Sequence, residues 1–128
     1  MKQKKVALVT GAGRGIGRGI VLELAKHEFN IAGVDIKCEP DNTESGLFEV
    51  KERVEELGAR FLPVQGDISS LEDHKKILAQ TLDEFSAIDL LVNNAGIAPL
   101  QRLDILETSP ESFDRLLSIN TRGTFFLT

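Results

Sequence analysis

The sequence predicts an α/β fold in which helices cover both faces of a doubly wound parallel sheet. Short apolar segments typical of strands alternate with segments of helical periodicity along the whole chain. The first of these segments is apolar throughout, as expected for a strand buried on both faces. No repeat, low-complexity tract or linker interrupts the alternation. Because this alternation is typical of repeated βαβ units, we predict one domain over residues 1–128.

The composition narrows the classes of protein to consider. The chain has 128 residues, of which 41% are hydrophobic and 27% charged, a balance that supports one globular core. Its net charge is −5 and it has no long block of Lys or Arg, which argues against nucleic acid as a partner. No apolar stretch approaches the ~20 residues of a membrane-spanning helix, so no membrane partner is expected.

Cysteine usage indicates the redox setting. The single cysteine, Cys38, cannot form an internal disulfide, and no His or second Cys stands near it in the sequence. We therefore predict no metal site. We predict a reduced, cytoplasmic location.

The first half of the chain predicts two strands and two helices. Residues 5–9 form the first strand, and residues 30–35 the second. Between them, apolar residues recur at helical spacing over residues 16–25 and predict the first helix. A second helix follows a polar loop over residues 41–46, with Gly58 as its C-terminal cap.

The next segments complete a four-stranded sheet. Residues 59–65 predict a third strand, which Pro63 places at an edge because proline removes a ladder donor. Ser69 or Ser70 can cap a third helix, whose apolar residues are Leu71, Leu78, Leu82 and Phe85. Residues 88–92 predict the fourth strand. The usual doubly wound order is then 3-2-1-4, which places the fourth strand at the other edge of an incomplete sheet.

The last predicted helix begins at Ser109-Pro110, a cap residue followed by proline at the first helical position. Its apolar stripe contains Phe113, Leu116 and Leu117, and Asn120 falls on the same face. Elsewhere, His27 and His74 are predicted to be solvated or partly packed. The phenylalanines, among them Phe61, Phe125 and Phe126, are predicted to be core or interface residues.

The most specific motif is Thr10-Gly11-Ala12-Gly13-Arg14-Gly15-Ile16-Gly17, between the first strand and the first helix. A helix N-terminus offers unpaired N–H groups and a positive dipole end, and glycines let a pyrophosphate approach the backbone. A glycine cluster can also be a flexible turn, but the strand–turn–helix setting favours phosphate binding. The candidate cofactor-binding residues here are Gly11, Arg14, Gly15, Ile16 and Gly17.

Asp35 ends the second strand, 20 positions after Gly15. At that spacing a carboxylate can accept hydrogen bonds from the adenosine ribose and repel a 2′-phosphate. A strand-ending Asp that starts a turn is the alternative interpretation. Because Ile36 leaves no Arg directly after Asp35, the predicted cofactor is NAD rather than NADP.

The spacing T-G-x-x-x-G-x-G resembles the glycine motif of the short-chain dehydrogenase/reductase family, which has a Rossmann fold. The Asp67-Ile68 pair resembles the family's adenine-binding pair, and Asn93-Asn94-Ala95-Gly96 its N-N-A-G motif. This resemblance implies cofactor-binding roles for Asp67, Ile68, Asn94, Ala95 and Gly96. Arg14 occupies a position that is often basic in NADP-preferring members, which keeps NADP open as the cofactor.

The resemblance also implies a chemistry. Asn120 matches the helix asparagine that, in the family, holds a water in the proton relay to a catalytic lysine, and is the one candidate catalytic residue. The family transfers hydride between nicotinamide and a carbonyl or alcohol substrate, using a Ser and a Tyr-x-x-x-Lys pair. Its last helix in this region commonly contributes to a subunit interface, so the resemblance implies that the intact protein is a dimer or tetramer. The general pattern is close to 3-oxoacyl-carrier-protein reductases, but it does not identify the substrate.

This sequence has no tyrosine. We therefore expect a chain truncated before the catalytic Ser and Tyr-x-x-x-Lys, the N-terminal half of an NAD(P)-dependent oxidoreductase. A non-catalytic dinucleotide-binding module or sensor is the alternative.

Overall fold

The computed structural model describes residues 4–96 and 105–128. Within these residues, strands and helices alternate in the predicted order. The strands are β1 (Val6–Thr10), β2 (Asn30–Asp35), β3 (Phe61–Gln65) and β4 (Leu90–Val92). The α-helices are α1 (Gly15–Lys26), α2 (Leu47–Glu56), α3 (Leu71–Phe85), α4 (Pro110–Leu117) and α5 (Thr124–Leu127). A 3₁₀ turn covers Ile105–Glu107, and a π-helical segment covers Ser118–Gly123.

The four strands form one parallel sheet in the order β3-β2-β1-β4, which confirms the predicted order and both predicted edges. Central strand β1 is buried along its whole length, and its Leu8 pairs with Ala32 of β2 and Leu91 of β4. Pro63 lies on edge strand β3 opposite Gly33 of β2. Strands β3 and β4 each begin two residues later than the sequence predicts, at Phe61 and Leu90.

The two faces of the sheet carry separate apolar clusters, because successive side chains of a strand point to opposite faces. On one face, Ala7 and Val9 of β1 pack with Val21 of α1 and Val50 of α2. On the other face, Leu8 packs with residues of β2 and β3 and with Ile77 of α3. Helices therefore cover both faces, as in a doubly wound Rossmann fold.

Helix α3 turns a different face to the sheet than its leucines predict. Leu71, Leu78 and Leu82 are 42%, 38% and 46% exposed, so these leucines do not form the packed face of the helix. The buried residues are His74, Ile77 and Thr81. The two polar side chains, His74 and Thr81, can be buried because each has a hydrogen-bond partner. Thr81 Oγ1 donates to the Ile77 carbonyl oxygen at 2.7 Å, and His74 Nε2 bonds the Ile68 carbonyl oxygen at 2.6 Å. The prediction that His74 is solvated or partly packed is wrong.

Side-chain caps fix the starts of two helices. Ser70, rather than Ser69, caps α3 by accepting a hydrogen bond from the Asp73 N–H. Ser109 caps α4 in the same way through Ser112, and Pro110 occupies the first turn, as predicted. Gly58 has a left-handed backbone just beyond α2, the conformation expected after a helix C-terminus.

The C-terminal segment is not the single continuous helix that the sequence predicts. The α-helical pattern gives way to a π-helical turn over Ser118–Gly123 before α5 begins. At Gly123 a Cβ would lie 2.2 Å from the Ile68 carbonyl oxygen, so the absence of a side chain lets this turn pack against the loop after β3. Phe61 is a core residue, whereas Phe113, Phe125 and Phe126 are exposed. Among the described residues, no helix combines the length and apolar character needed to cross a membrane.

Candidate functional site

The glycine turn leads from β1 into α1 with an open helix N-terminus. Gly11 and Gly15 have φ values of +65° and +58°, a left-handed conformation that glycine adopts without strain. The N-cap residue of α1, Arg14, makes no side-chain capping bond, and the first turn contains no acidic residue. In contrast to α3 and α4, the N–H groups at the start of α1 have no side-chain cap. They can therefore bind a negatively charged group.

Gly17 supports this turn from below. A Cβ at Gly17 would lie 2.0 Å from the Gly11 carbonyl oxygen and 2.5 Å from Asn94 Nδ2. Gly17 is buried, and the absence of a side chain there lets the glycine turn pack closely against α1.

Hydrogen bonds from Thr10 and Asn94 tie the end of β1 to the segment after β4. Thr10 Oγ1 accepts from the backbone N–H groups of Asn94 and Ala95 at 3.1 and 3.0 Å, and donates to the Val92 carbonyl oxygen at 3.4 Å. Asn94 Nδ2 donates to the Gly11 carbonyl oxygen at 3.1 Å. The N-N-A-G segment is thus fixed against the glycine turn. No pattern in the sequence predicts this role of Thr10.

Asp35 lies beside the same turn, at the end of β2. Its Oδ2 accepts a hydrogen bond from the Gly13 N–H at 3.0 Å, and its Oδ1 accepts one from the Ile36 N–H at 2.8 Å. The side chain remains partly exposed. The carboxylate is therefore held in a fixed orientation by the backbone while it still faces the space in front of the sheet.

The loop after β3 brings Asp67 and Ile68 to the same edge of the sheet. Asp67 Oδ1 accepts hydrogen bonds from the Ser69 N–H and hydroxyl, and the Asp67 N–H donates to Asp73 Oδ2. His74 bonds the Ile68 carbonyl oxygen from α3, and Arg122 Nη1 donates to the Ser69 carbonyl oxygen from the π-helical turn. The loop is therefore held from two sides.

Asn120 lies on the π-helical turn next to the N-N-A-G segment. A Cβ at Gly96 would lie 3.2 Å from Asn120 Oδ1, so the two residues are neighbours. π-Helical segments are rare and occur frequently at functional sites. Asn120 lies beyond the end of α4, because the change in helical pitch begins at Ser118.

These elements enclose one cavity of about 370 Å³ along the carboxyl ends of the strands, the position at which doubly wound sheets bind ligands. Ten of the twelve predicted site residues line it. They are Gly11, Arg14, Gly15, Ile16, Asp35, Asp67, Ile68, Asn94, Ala95 and Gly96. Gly17 and Asn120 do not line the cavity, but they contact residues that do: Gly17 lies against Gly11, and Asn120 against Gly96. The cavity also contains four residues that sequence reasoning missed: Val34, Ile36, Gly66 and Ile119.

No metal or reactive thiol centre accompanies this cavity in the part of the chain that the structure describes. No group of three or more His, Cys, Asp or Glu side chains there is arranged to hold a metal ion. Cys38 is a free, partly buried thiol. Burial raises the pKa of the Cys38 thiol, and the charge of Lys76 opposes this effect only in part. A smaller fraction of the thiol is therefore in the reactive thiolate form.

Comparison with known proteins assigns the family. The family described as short chain dehydrogenase matches residues 5–128. The chain therefore belongs to the short-chain dehydrogenase/reductase family, a family of oxidoreductases whose members use NAD(P). Among solved structures, the 3-oxoacyl-[acyl-carrier protein] reductase from Brucella melitensis in complex with NAD superposes with a TM-score of 0.89 and 36% identity, over 99% of this chain and 47% of that one.

Curated relatives carry several different activities in their names. The 2-dehydro-3-deoxy-D-gluconate 5-dehydrogenase of Dickeya dadantii (strain 3937) is 37% identical over 98% of this chain and 46% of its own length. The hydroxynaphthalene reductase-like protein Arp2 of Metarhizium guizhouense (strain ARSEF 977) is 35% identical over 96% and 43%. The chain thus spans about half the length of the curated relatives that it matches.

Proposed function

We propose that residues 1–128 form the dinucleotide-binding half of an NAD-dependent oxidoreductase that interconverts a carbonyl compound and an alcohol. The observation that carries this proposal is that one cavity is lined by the uncapped start of α1, by the Asp35 carboxylate and by the segment Asn94–Gly96. The first of these elements suits a pyrophosphate and the second a ribose, and both stand at the carboxyl ends of adjacent strands.

The residues of the cavity suit the dinucleotide from end to end. The N–H groups of Gly15 and Ile16 bind the pyrophosphate, and the Asp35 carboxylate accepts hydrogen bonds from the adenosine ribose. Asp67 and Ile68 meet the adenine, as the family resemblance implies. The segment Asn94–Gly96 borders the remaining length of the cofactor.

When bound, the nicotinamide supplies a hydride acceptor or donor to the substrate carbon. For the Asn120 side chain, next to Gly96, we propose the family role of holding a water in the proton relay. A tyrosine and a lysine of the full enzyme would complete that relay, and a serine would orient the substrate. We also propose that the protein works in the cytoplasm.

Isothermal calorimetry with NADH tests the cofactor-binding role directly. We expect one site per chain that ADP-ribose also occupies, because pyrophosphate and ribose contacts are common to both ligands. The absence of heat of binding with a chain that is shown to be folded would contradict the proposed function.

Cofactor preference depends on the charge of Asp35. Replacing Asp35 by alanine is expected to weaken NADH binding about tenfold, because hydrogen bonds to a carboxylate contribute roughly 1.5–3 kcal/mol. Binding of NADPH should weaken less or improve, since the repulsion of its 2′-phosphate is removed. Calorimetry with both cofactors should show that the variant prefers NADH over NADPH by a smaller factor than the unchanged protein does. Asp41→Ala removes an exposed carboxylate of the following loop and should leave both affinities unchanged.

The exposed aromatic residues of α5 lead us to propose that the protein is a dimer or tetramer. Phe125 and Phe126 are 73% and 56% exposed and pack edge to face at a centroid distance of 5.1 Å. An exposed aromatic pair of this kind is typical of contact surfaces. Light scattering should give a mass above that of one chain, and Phe125→Glu should lower it. A monodisperse monomer before substitution would contradict this proposal.

A further inference from the structure

A second cavity, of about 700 Å³, lies on the other side of Asp35. It shares Arg14, Gly15, Asp35 and Ile36 with the cavity described above. Because Asp35 lines both cavities, the side chains of the second cavity surround the carboxylate that is proposed to bind the ribose. The charged side chains of the second cavity therefore bear on whether a 2′-phosphate is accepted.

Four basic residues line the second cavity: Arg14, Arg18, Lys37 and Arg115. Of these, only Arg18 has an ion-pair partner among the described residues. Arg18 Nη2 donates to Glu49 Oε1 at 2.6 Å, and Arg18 Nε donates to the same oxygen at 3.0 Å. The pair joins α1 to the first turn of α2, where a carboxylate is also favoured by the helix dipole.

The Arg18–Glu49 pair is partly buried: its side chains are 31% and 17% exposed. The hydrogen bond that Arg18 donates to Glu49 raises the pKa of the Arg18 guanidinium, against the opposing effect of burial. With two of its N–H groups committed to one carboxylate, Arg18 has fewer donors for another anion, and its charge is largely neutralised.

The acidic residues that line the second cavity are also four in number: Asp35, Glu39, Glu44 and Glu49. The described lining residues therefore carry no net charge. This balance offers an incoming phosphate no net attraction, even though four basic side chains stand around it. Removing the charge of Glu49 would give the lining an excess of one positive charge and release Arg18.

We propose that Glu49 is a second selector for the unphosphorylated cofactor, acting through Arg18. Asp35 repels a 2′-phosphate directly, because both groups are negatively charged. Glu49 acts indirectly: it binds the Arg18 guanidinium, which lines the same cavity and would otherwise be available to bind the phosphate. Glu49 is thus a positioning residue that acts through Arg18. The inference rests on the proposed function, because it concerns the same cofactor.

The variant Glu49→Gln tests the proposal through a ratio of affinities. We expect the NADPH dissociation constant to fall relative to that of NADH by about fivefold, the size of effect typical of a partly exposed charge pair. NADH affinity is measured by calorimetry, and NADPH affinity by competition against NADH. Because both cofactors bind the same folded chain, a partial loss of folding cancels in the ratio.

Two further variants identify the cause of the change. Glu44→Gln removes a charge from the same cavity without touching an ion pair and should shift the ratio by less than about twofold. Arg18→Gln, added to Glu49→Gln, should return the ratio toward its original value. An equal shift with Glu44→Gln, or no return with the double variant, would overturn the role of the pair.

The outcomes separate this inference from the proposed function. If the unchanged protein binds neither cofactor, the proposed function fails. If it binds NADH but the ratio is the same with Glu49→Gln, only the selector role of Glu49 fails.

Discussion

Replacing Gly17 by alanine is expected to abolish NADH binding. The new Cβ would lie 2.0 Å from the Gly11 carbonyl oxygen and 2.5 Å from Asn94 Nδ2. The first contact is with backbone, so the glycine turn must move away from α1. That movement displaces the N–H groups that face the cavity and also breaks the contact from Asn94 to Gly11. Overpacking of this kind costs about 1–3 kcal/mol or more.

Gly19→Ala is the matched control, because it adds the same methyl group two positions further along the same helix. Nothing lies within 4 Å of a Cβ there, and Gly19 is exposed. Alanine in a helix interior stabilises by roughly 0.5–1 kcal/mol relative to glycine. Calorimetry with NADH and a urea titration should therefore show a clear loss for Gly17→Ala and none for Gly19→Ala. Unimpaired NADH binding by Gly17→Ala would contradict the packing role of Gly17.

The sheet order and the glycine turn could be predicted from the sequence because their signals are local. Buried parallel strands read as short apolar runs, and the position of Pro63 alone places its strand at an edge. Chain order then places the ends of β1, β2, β3 and β4 at one edge of the sheet. Ten predicted residues meet in one cavity for this reason.

The packed face of α3 could not be predicted in the same way. Leucines mark a stripe on this helix, but burial follows the contacts with the sheet and the loop after β3. His74 is buried because the Ile68 carbonyl oxygen lies within hydrogen-bonding distance, a fact that depends on tertiary structure. The π-helical turn around Asn120 has a similar origin, since Gly123 packs against that same carbonyl group. Gly123 and Ile68 are far apart in the sequence, whereas His74 and Ile68 are only six positions apart but belong to a helix and to the loop before it.

The cavity residues that sequence reasoning missed show the same limit at smaller scale. Ile119 directly precedes Asn120, so its place next to a motif residue is the one signal in the sequence that points to it. Ile36 and Gly66 directly adjoin Asp35 and Asp67, and their own residue types carry no signal of a binding role. The Arg18–Glu49 pair spans 31 positions, and no sequence pattern links its two members.

Thr10 provides the second large expected effect. Its side chain is 1% exposed, and its hydroxyl oxygen accepts two backbone N–H groups, those of Asn94 and Ala95. Valine has nearly the same shape but accepts no hydrogen bond, so Thr10→Val would leave both N–H groups without this acceptor. We expect a loss of about 2 kcal/mol in the free energy of unfolding, because both N–H groups are partly buried and an unsatisfied buried donor costs roughly 1–3 kcal/mol.

The conservative variant Thr10→Ser separates the hydroxyl from the methyl group. Serine keeps the acceptor and loses one buried methyl, which should cost only about 1 kcal/mol. Urea unfolding followed by circular dichroism measures both variants, and NADH calorimetry shows whether the segment Asn94–Gly96 has moved from the cavity. Equal stabilities for the valine and serine variants would contradict the role of the hydroxyl in joining β1 to the segment after β4. If the hydroxyl has this role, Thr10→Val alone should combine a large loss of stability with weakened NADH binding.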